Sequence, residues 1–302
     1  MRRLGQLPYR LRAALAALAL VAGAVQAAPA KDQEVSGFRF QIVTGDDSQV
    51  TRRIAEDLYK RLVPTFAAFR TELAQHRRML YVAIGPTALR DAALRPCDCV
   101  VIAAFTSSQV WRDVMAQVVP ARAGAMTAIF AEPAPADQLT LISLLYHRPA
   151  RVAAIVADPR FFAANLAGAA DLYAFAEGDD INRLLNRIAQ TEVLLALPDN
   201  AVFNAENIRN ILLSTYRHKQ AVIGFSSDMV RAGALASTYS EIEDINVQVA
   251  ETVAQFVATG ALPAPQFPRY FRTVVNEGVA RSLDVNVDSA ARGFARRPPL
   301  TP

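Results

Sequence analysis

Apolar runs typical of buried β-strands alternate with amphipathic helical segments along this chain after residue 36. The first run, "FRFQIVTG", precedes a helical segment whose apolar positions recur every four residues from Val50 to Leu62, with Ser48 placed to cap it. Further runs are "MLYVAIG", "CVVIAAF", "AMTAIFA", "RVAAIVAD", "DLYAFA", "VLLALPD" and "AVIGFSS". Runs this apolar are buried on both faces, which indicates parallel sheets covered by helices on each side. The pattern predicts an α/β protein with two such units in series.

Residues 1–27 do not fit this alternation. Four arginines open the segment, the apolar stretch "AALAALALVAGAV" follows, and small residues end it at Ala27. This order is typical of a secretory signal, so we expect removal of 1–27 and a periplasmic location. The alternative is an N-terminal membrane anchor, which is less favoured because no polar stop-transfer flank follows the apolar stretch.

The signal also accounts for the basic charge of the chain. Its four arginines are part of 32 basic residues, and removing them leaves 28, equal to the 28 acidic residues. A balanced mature chain lacks the basic face that nucleic-acid binding requires, so no nucleic-acid partner is expected. The remaining basic cluster, "ARGFARRPP", lies in a Pro-rich tail that we expect to be disordered over 292–302.

The cysteines and histidines offer little for chemistry. Cys97 and Cys99 are separated by one residue, and a disulfide between them would close a small ring, so two half-buried thiols are the favoured interpretation and a redox role the weaker one. The histidines are His76, His147 and His218, far apart in sequence. No metal site or cofactor is therefore expected.

The ends of the predicted strands carry short polar residues. Ligands of open parallel sheets bind at the carboxyl ends of the strands, where loops and helix N-termini converge. The ligand-binding candidates there are Thr44, Asp46, Thr87, Thr106, Asp199 and Ser226. For each of them, ordinary helix capping or turn formation is the alternative role. No nucleophile elbow, P-loop or complete dinucleotide fingerprint occurs, so no catalytic residue is assigned.

The later half of the chain resembles a known family. The stretches that carry the resemblance are "AIFAEPAPADQLTLISLLYHRPARVAAIV", "ALPDNAVFNAENIRNILLSTYRHKQAVIGFS", "VRAGALASTYSEIEDINVQVAETV" and "VVNEGVARSL". Together they resemble the ABC-transporter substrate-binding family that includes binders of aromatic amino acids. This resemblance implies an exported, non-enzymatic protein with the two-lobed type I periplasmic-binding fold, in which each lobe is a parallel sheet sandwiched by helices and the chain crosses between lobes three times.

The resemblance also implies where the lobes and hinges lie. Lobe 1 would comprise 36–127 and 237–262, and lobe 2 would comprise 128–236 and 265–291. Thr127, Gly233 and Ala234 would serve as hinge residues, because small residues let the backbone rotate as the lobes close. Close packing of a buried strand is the alternative reason for the glycine.

The first half departs from the family. The opening segment is short, and Phe105, Thr106 and Ser107 stand where the family has an acidic Asp-Pro turn. In the second lobe, Asp199 and Ser226 match the family.

Two functions follow from this resemblance. The first is a monomeric solute-binding protein that captures a small molecule, such as an amino acid or a related compound, for an inner-membrane ABC permease. The second is an exported sensory or scaffold protein of the same fold that regulates a membrane signalling partner. An α/β enzyme ranks third, because no nucleophile has a base beside it.

Overall fold

The computed structural model of the chain describes residues 38–67, 78–166 and 168–299. The expected signal at 1–27, His76, and residues 300–302 of the expected tail lie outside the described residues, so the signal remains a prediction. Within the described ranges, none of the helices combines the length and the apolar character needed to cross a membrane.

The first lobe is built on a sheet of four parallel strands in the order β1-β2-β3-β4. These strands are β1 Phe38–Thr44, β2 Arg78–Ile84, β3 Cys99–Thr106 and β4 Met126–Phe130. The helices of this lobe are α1 Gln49–Ala67, α2 Gly85–Leu94, α3 Ser108–Met115, α4 Pro120–Ala123 and, from far along the chain, α10 Ile242–Thr259. The predicted cap of α1 is confirmed, since the Thr51 amide donates to Ser48 Oγ at 3.2 Å.

Helices cover both faces of this sheet. On one face α1 and α10 pack against side chains such as Leu80 and Ile102, and on the other α2 and α3 pack against Ala83 and Val101. The strands β1, β2 and β3 are neighbours in that order. The crossover from β1 to β2 includes α1 and the crossover from β2 to β3 includes α2. Because these helices lie on opposite faces of the sheet, the two crossovers have opposite hands. Such crossovers are right-handed in about 98% of cases, so one of these two is of the rare left-handed kind.

The second lobe is built on a six-stranded sheet in the order β10-β9-β8-β7-β5-β6. Its strands are β5 Val152–Val156, β6 Asp171–Ala174, β7 Val193–Leu195, β8 Ala221–Ile223, β9 Ala236–Tyr239 and β10 Arg272–Val275. All neighbours are parallel except β10, which runs antiparallel to β9. The expected parallel sheet is thus confirmed apart from one edge strand, which the apolar pattern had not predicted.

Seven helices of the described ranges complete the second lobe. They are α5 Pro135–Tyr146, α6 Pro159–Leu166, α7 Ile181–Ile188, α8 Asn207–Arg217, α9 Ser227–Ala232, α11 Glu277–Ser282 and α12 Ser289–Gly293. One face of the sheet buries residues of α5, α6, α11 and α12, and the opposite face buries residues of α7, α8 and α9. The α/β architecture with helices on both faces of each sheet is therefore as predicted.

The strands move two expected lobe boundaries by three residues each. β4 stays in the first sheet up to Phe130, and β9 stays in the second sheet up to Tyr239.

The described part of the C-terminal tail differs from the expected disorder. The Phe271 amide donates to the Arg296 carbonyl at 2.8 Å, and the Arg296 amide donates to the Phe271 carbonyl at 3.0 Å. This reciprocal pair holds the tail beside β10.

Candidate functional site

The carboxyl ends of β1 and β2 bring three predicted ligand residues to one place. Thr44 ends β1 and pairs in register with Ile84, which directly precedes α2. A Cβ atom added to the following Gly45 would lie 2.5 Å from the Cβ of Thr87, so only glycine allows the two loops to approach this closely. Thr44 and Asp46, on either side of Gly45, therefore lie close to Thr87 in the first turn of α2.

Asp46 is committed to its own turn. Its Oδ1 accepts a hydrogen bond from the Ser48 amide at 2.8 Å, and this bond lowers the pKa of the exposed Asp46 carboxyl. The geometry is that of an Asx turn leading into α1, which is the capping role considered for this residue. The second carboxylate oxygen can still accept a bond from a ligand.

The ends of β3 and β4 form a second cluster around Glu132, a residue that sequence reasoning did not select. Thr106 pairs in register with Phe130, and the Ala131 amide donates to the Thr106 carbonyl at 2.9 Å. Glu132 follows at once, and its Oε1 accepts from the Ser108 amide at 2.7 Å. A carboxylate is thus placed at the first turn of α3, where the helix dipole favours negative charge.

This cluster has hydrogen-bonding capacity to spare. Glu132 is 4% exposed and Thr106 is 1% exposed. Among the described residues, neither Glu132 Oε2 nor Thr106 Oγ1 has a hydrogen-bond partner. Burial raises the pKa of the Glu132 carboxyl, because the charged form is desolvated. Buried polar atoms without hydrogen-bond partners are rare in native proteins and cost free energy. Where they occur, a functional role such as ligand binding is one explanation.

The backbone before Thr106 is also unusual. Phe105 has φ of 55°, in the left-handed region that a bulky residue rarely adopts, and the pairing register shifts between Ala104 and Thr106. Bulges of this kind re-aim a side chain at the end of a strand and are over-represented beside functional sites.

In the second lobe, the carboxylate of Asp199 is fully engaged by backbone amides. Oδ2 accepts from the Ala157 amide at 2.7 Å, Oδ1 accepts from the Ala201 amide at 3.0 Å, and the side chain is 1% exposed. These bonds close its own turn and tie the end of β7 to the end of β5. The geometry matches the capping alternative, and a ligand role for Asp199 remains a prediction.

Ser226 caps α9, since its Oγ accepts from the Met229 amide at 3.2 Å. The hydroxyl hydrogen remains available to donate to another group. An aromatic pair lies beside this loop, with the rings of Phe203 and Phe225 5.9 Å apart. Phe203 is buried in the core and Phe225 is half-buried, so at this point the second lobe offers a hydroxyl donor and the exposed part of one ring.

Arg112 connects the two lobes away from the crossings. This residue of α3 places Nη1 3.3 Å from Asp158 Oδ2, at the end of β5, and its guanidinium lies 4.1 Å from the ring centroid of Phe161 in α6. Asp158 follows the apolar run of β5 in the sequence, and nothing in the pattern of apolar and polar residues indicates Arg112. The contact joins residues of two different lobes, so a local sequence pattern does not indicate it.

Comparison with known proteins bears on the fold. No family model matches the sequence, and no curated protein matches it. Solved structures match over most of their length, among them three with TM-scores of 0.50 to 0.55. The ABC domain from Streptococcus pneumonia in complex with L-Trp is 14% identical with a TM-score of 0.53, covering 87% of this chain and 99% of that one.

The other two matches are similar in extent. A ligand-free, open substrate binding protein with adhesive properties from Clostridium difficile is 12% identical with a TM-score of 0.55, covering 85% of this chain and 98% of that one. A conserved domain protein from Vibrio cholerae is 16% identical with a TM-score of 0.50, covering 87% and 99%. This chain has the type I periplasmic-binding fold.

In this type I periplasmic-binding fold, the crossings between lobes lie at other residues than the predicted hinges. Thr127 is inside β4, paired with Ile102. Gly233 ends α9 with φ of 128°, and Ala234 is buried within the second lobe. The glycine therefore terminates a helix, which a left-handed φ explains. The crossings are 131–134, 240–241 and 260–271.

Polar side chains hold these crossings in place. Gln248, in α10, donates from Nε2 to Gln266 Oε1 at 3.2 Å and accepts from the Arg269 amide at 2.6 Å. Ser240 Oγ donates to the Tyr270 carbonyl at 2.6 Å. The second and third crossings are thus joined by hydrogen bonds to each other and to α10.

The expectation of two free thiols is wrong, because Cys97 and Cys99 form a disulfide. The loop between α2 and β3 brings the two sulfur atoms together despite the single intervening residue. Within the described ranges, no group of three or more His, Cys, Asp or Glu could hold a metal ion.

Proposed function

We propose that this protein is an exported solute-binding protein that captures a small molecule between its lobes and delivers it to an inner-membrane ABC permease. The observation that carries the proposal is the pair of lobes that three crossings join and that touch through Arg112, in the helix after β3, and Asp158, after β5. Two lobes connected in this way move as rigid bodies when a ligand contacts both of them. The protein acts as a monomer in the periplasm and catalyses no reaction.

The ligand carries a cationic or hydroxyl group, as an amino acid or a related compound does. Glu132 Oε2 and Thr106 Oγ1, which have no partner among the described residues, support this part of the proposal. A ligand ammonium placed against Glu132 would compensate the desolvated carboxylate, a charge-assisted bond worth roughly 1.5 to 3 kcal/mol.

The rest of the ligand has apolar surface in this proposal. The half-buried Phe225, whose ring packs on that of Phe203, directly precedes Ser226 in the chain and would supply the apolar contact. One solved structure of the same fold is described as a complex with L-Trp, a ligand that combines an ammonium with an aromatic ring. Recognition by a charged group beside one lobe and by a ring in the other would make binding depend on lobe closure.

A thermal-shift screen tests the proposed function. Purified mature protein is heated with amino acids, nucleosides, sugars and organic acids, each at high concentration. A ligand at a hundred times its dissociation constant stabilises the folded state by about 2.7 kcal/mol. We expect a shift with an amine-bearing solute, together with a smaller radius of gyration in small-angle scattering. No shift with any member of the panel would contradict solute capture and favour the sensory or scaffold role.

A further inference from the structure

The loop that precedes β3 lies at the amino end of the first sheet, at the opposite end of the strands from the candidate site. Cys97 in this loop is exposed, whereas Cys99, the first residue of β3, is 0% exposed. Their disulfide therefore presents one sulfur to solvent and keeps the other inside. A pair with one accessible and one protected sulfur reacts asymmetrically, because exchange requires access to the attacked sulfur.

The Arg122 guanidinium, from α4, lies against both sulfur atoms. Its Nη2 is 3.1 Å from Cys99 Sγ and 3.9 Å from Cys97 Sγ. The same guanidinium donates to the carbonyls of Ala92 and Cys99, which fix its position. A fixed cation beside a sulfur stabilises the thiolate relative to the thiol. Arg122 thus lies closer to the buried sulfur, which is the one that would leave.

Two further charges lie near the bridge. Asp98, between the cysteines, pairs with Arg78 at 2.8 Å, with Asp98 Oδ1 and Arg78 Nη2 as the contacting atoms. This pair is neutral overall and exposed, so the guanidinium of Arg122 supplies the net positive charge at the sulfurs.

A purely stabilising role explains the bridge poorly. A disulfide stabilises mainly by restricting the unfolded chain, and the effect grows with the length of the closed loop. Cys97 and Cys99 are two positions apart in sequence, so their bridge closes a very short loop. A half-buried arginine that contacts both sulfurs adds nothing to that restriction.

We propose that Cys97–Cys99 is a thiol–disulfide exchange site whose substrate is a dithiol reductant, with Cys97 as the attacked sulfur and Arg122 as the group that stabilises the leaving Cys99 thiolate. The electron pair of a partner thiolate forms a bond to Cys97 Sγ, and the pair of the Cys97–Cys99 bond passes to Cys99 Sγ. The second thiolate of the partner then attacks the partner's first sulfur, which is bonded to Cys97 Sγ, and the Cys97 thiolate leaves. The partner leaves as a disulfide, and Cys97 and Cys99 have gained its two electrons. The two protons that the partner thiols lose to solvent on ionising are balanced by two that the released Cys97 and Cys99 thiolates take up from solvent.

Exchange with reduced glutathione tests this site on the intact folded protein. Samples are quenched with acid and alkylated, and the adducts are located by mass spectrometry. We expect the first glutathione on Cys97 and not on Cys99. Arg122→Gln should slow adduct formation about tenfold or more, because the leaving thiolate loses its cation. Arg78→Gln is the matched control, since it removes a nearby guanidinium bonded to Asp98, and it should change the rate less than about twofold.

Three results would overturn the proposal. They are a bridge that glutathione opens only after denaturation, a first adduct on Cys99, and an Arg122→Gln protein that is folded and reacts as fast as the wild type. If Arg122→Gln does not fold, Arg122→Lys keeps the charge and should react within about threefold of the wild type. The position of the adduct in the wild-type protein decides the matter without any variant.

Discussion

Each of the two sheets has a buried carboxylate beyond the carboxyl ends of its strands, and the two carboxylates differ in the hydrogen bonds that they accept. At the end of the first sheet, Thr106 and Glu132, which lies in the crossing after β4, are buried, and each keeps an oxygen atom without a hydrogen-bond partner among the described residues. In the second lobe, both oxygens of the equally buried Asp199 accept bonds from backbone amides. Burial alone therefore does not distinguish a ligand-binding carboxylate from a structural one. The distinction lies in whether the hydrogen-bonding capacity of the carboxylate is already used.

The largest effect is expected at Asp199. Asp199→Ala leaves the amides of Ala157 and Ala201 without their acceptor in a buried place, which should lower the free energy of unfolding by about 2 to 4 kcal/mol. Urea unfolding followed by circular dichroism measures this. Asp179→Ala is the matched control, because the exposed Asp179 accepts from a single amide, that of Ala176, and its loss should cost about 1 kcal/mol or less.

An Asp199→Ala protein as stable as the wild type would remove the contrast between the lobes. Asp199 would then be free to contact a ligand, as the sequence resemblance implies.

A change of the opposite sign is expected at Glu132. Its raised pKa means that the folded protein holds the proton more tightly than the unfolded chain, so stability falls as pH rises above the usual value of 4.5. Glu132→Gln removes this cost and keeps the oxygen that Ser108 contacts. We expect it to stabilise the ligand-free protein by about 1 kcal/mol at pH 8 and by almost nothing at pH 4.

Melting temperatures at the two pH values check this prediction. Glu177→Gln, at an exposed residue after β6, is the control and should be neutral at both. A Glu132→Gln protein that is less stable at pH 8 would mean that the carboxylate is structurally satisfied.

A smaller free-energy contribution is expected from Arg112, whose ion pair with Asp158 joins the two lobes. The ion pair with Asp158 is partly exposed, and such pairs contribute about 0.2 to 1 kcal/mol. Arg112→Met should therefore leave stability nearly unchanged and shift the ligand-free protein towards a larger radius of gyration in small-angle scattering. A double-mutant cycle with Asp158→Asn isolates the coupling. An identical scattering curve for Arg112→Met would show that this contact does not hold the lobes together.

The smallest effect concerns the amino end of the second sheet. Arg148, assisted by the Arg151 amide, lowers the pKa of Glu192 to about 2. A lowered carboxylate pKa gives stability that is present above the unfolded value of 4.5 and is lost as pH falls towards 2. The pair is partly exposed, so its contribution should not exceed about 1 kcal/mol.

Urea unfolding at several pH values checks this contribution. Arg148→Met should be less stable than the wild type at pH 7 and equal to it below pH 2. An equal difference at both pH values would assign the effect to lost packing by the arginine stem.

The sequence predicted the layers of this fold better than its site. Long apolar runs identified β1 to β8, because strands buried on both faces need continuous apolar side chains. β9 was missed because Ala236–Tyr239 is short and has little apolar bulk, so the predicted boundary between the lobes falls inside this strand. β10 was missed because Arg272–Val275 has only two apolar residues, Val274 and Val275, and so forms no apolar run.

The roles of the site residues depend on burial and on contacts between distant segments, which a local sequence pattern does not show. Ser226 and Asp199 stand out in sequence because turn and cap residues follow strands, and capping is the role in which the structure finds them. Glu132 resembles any loop glutamate in sequence, and its importance comes from its burial and from its bond to the Ser108 amide, 24 positions earlier in the chain. The pairing of Arg112 with Asp158 likewise requires both lobes.

Isothermal titration of wild-type and Glu132→Gln protein with the solute found by the thermal-shift screen tests the central claim most directly. The loss of a buried charge-assisted bond of about 1.5 to 3 kcal/mol predicts an affinity at least tenfold lower for Glu132→Gln at pH 8, in a protein that is no less stable. Equal affinities for the two proteins would contradict the account, because the ligand would then owe nothing to the unused carboxylate oxygen of Glu132.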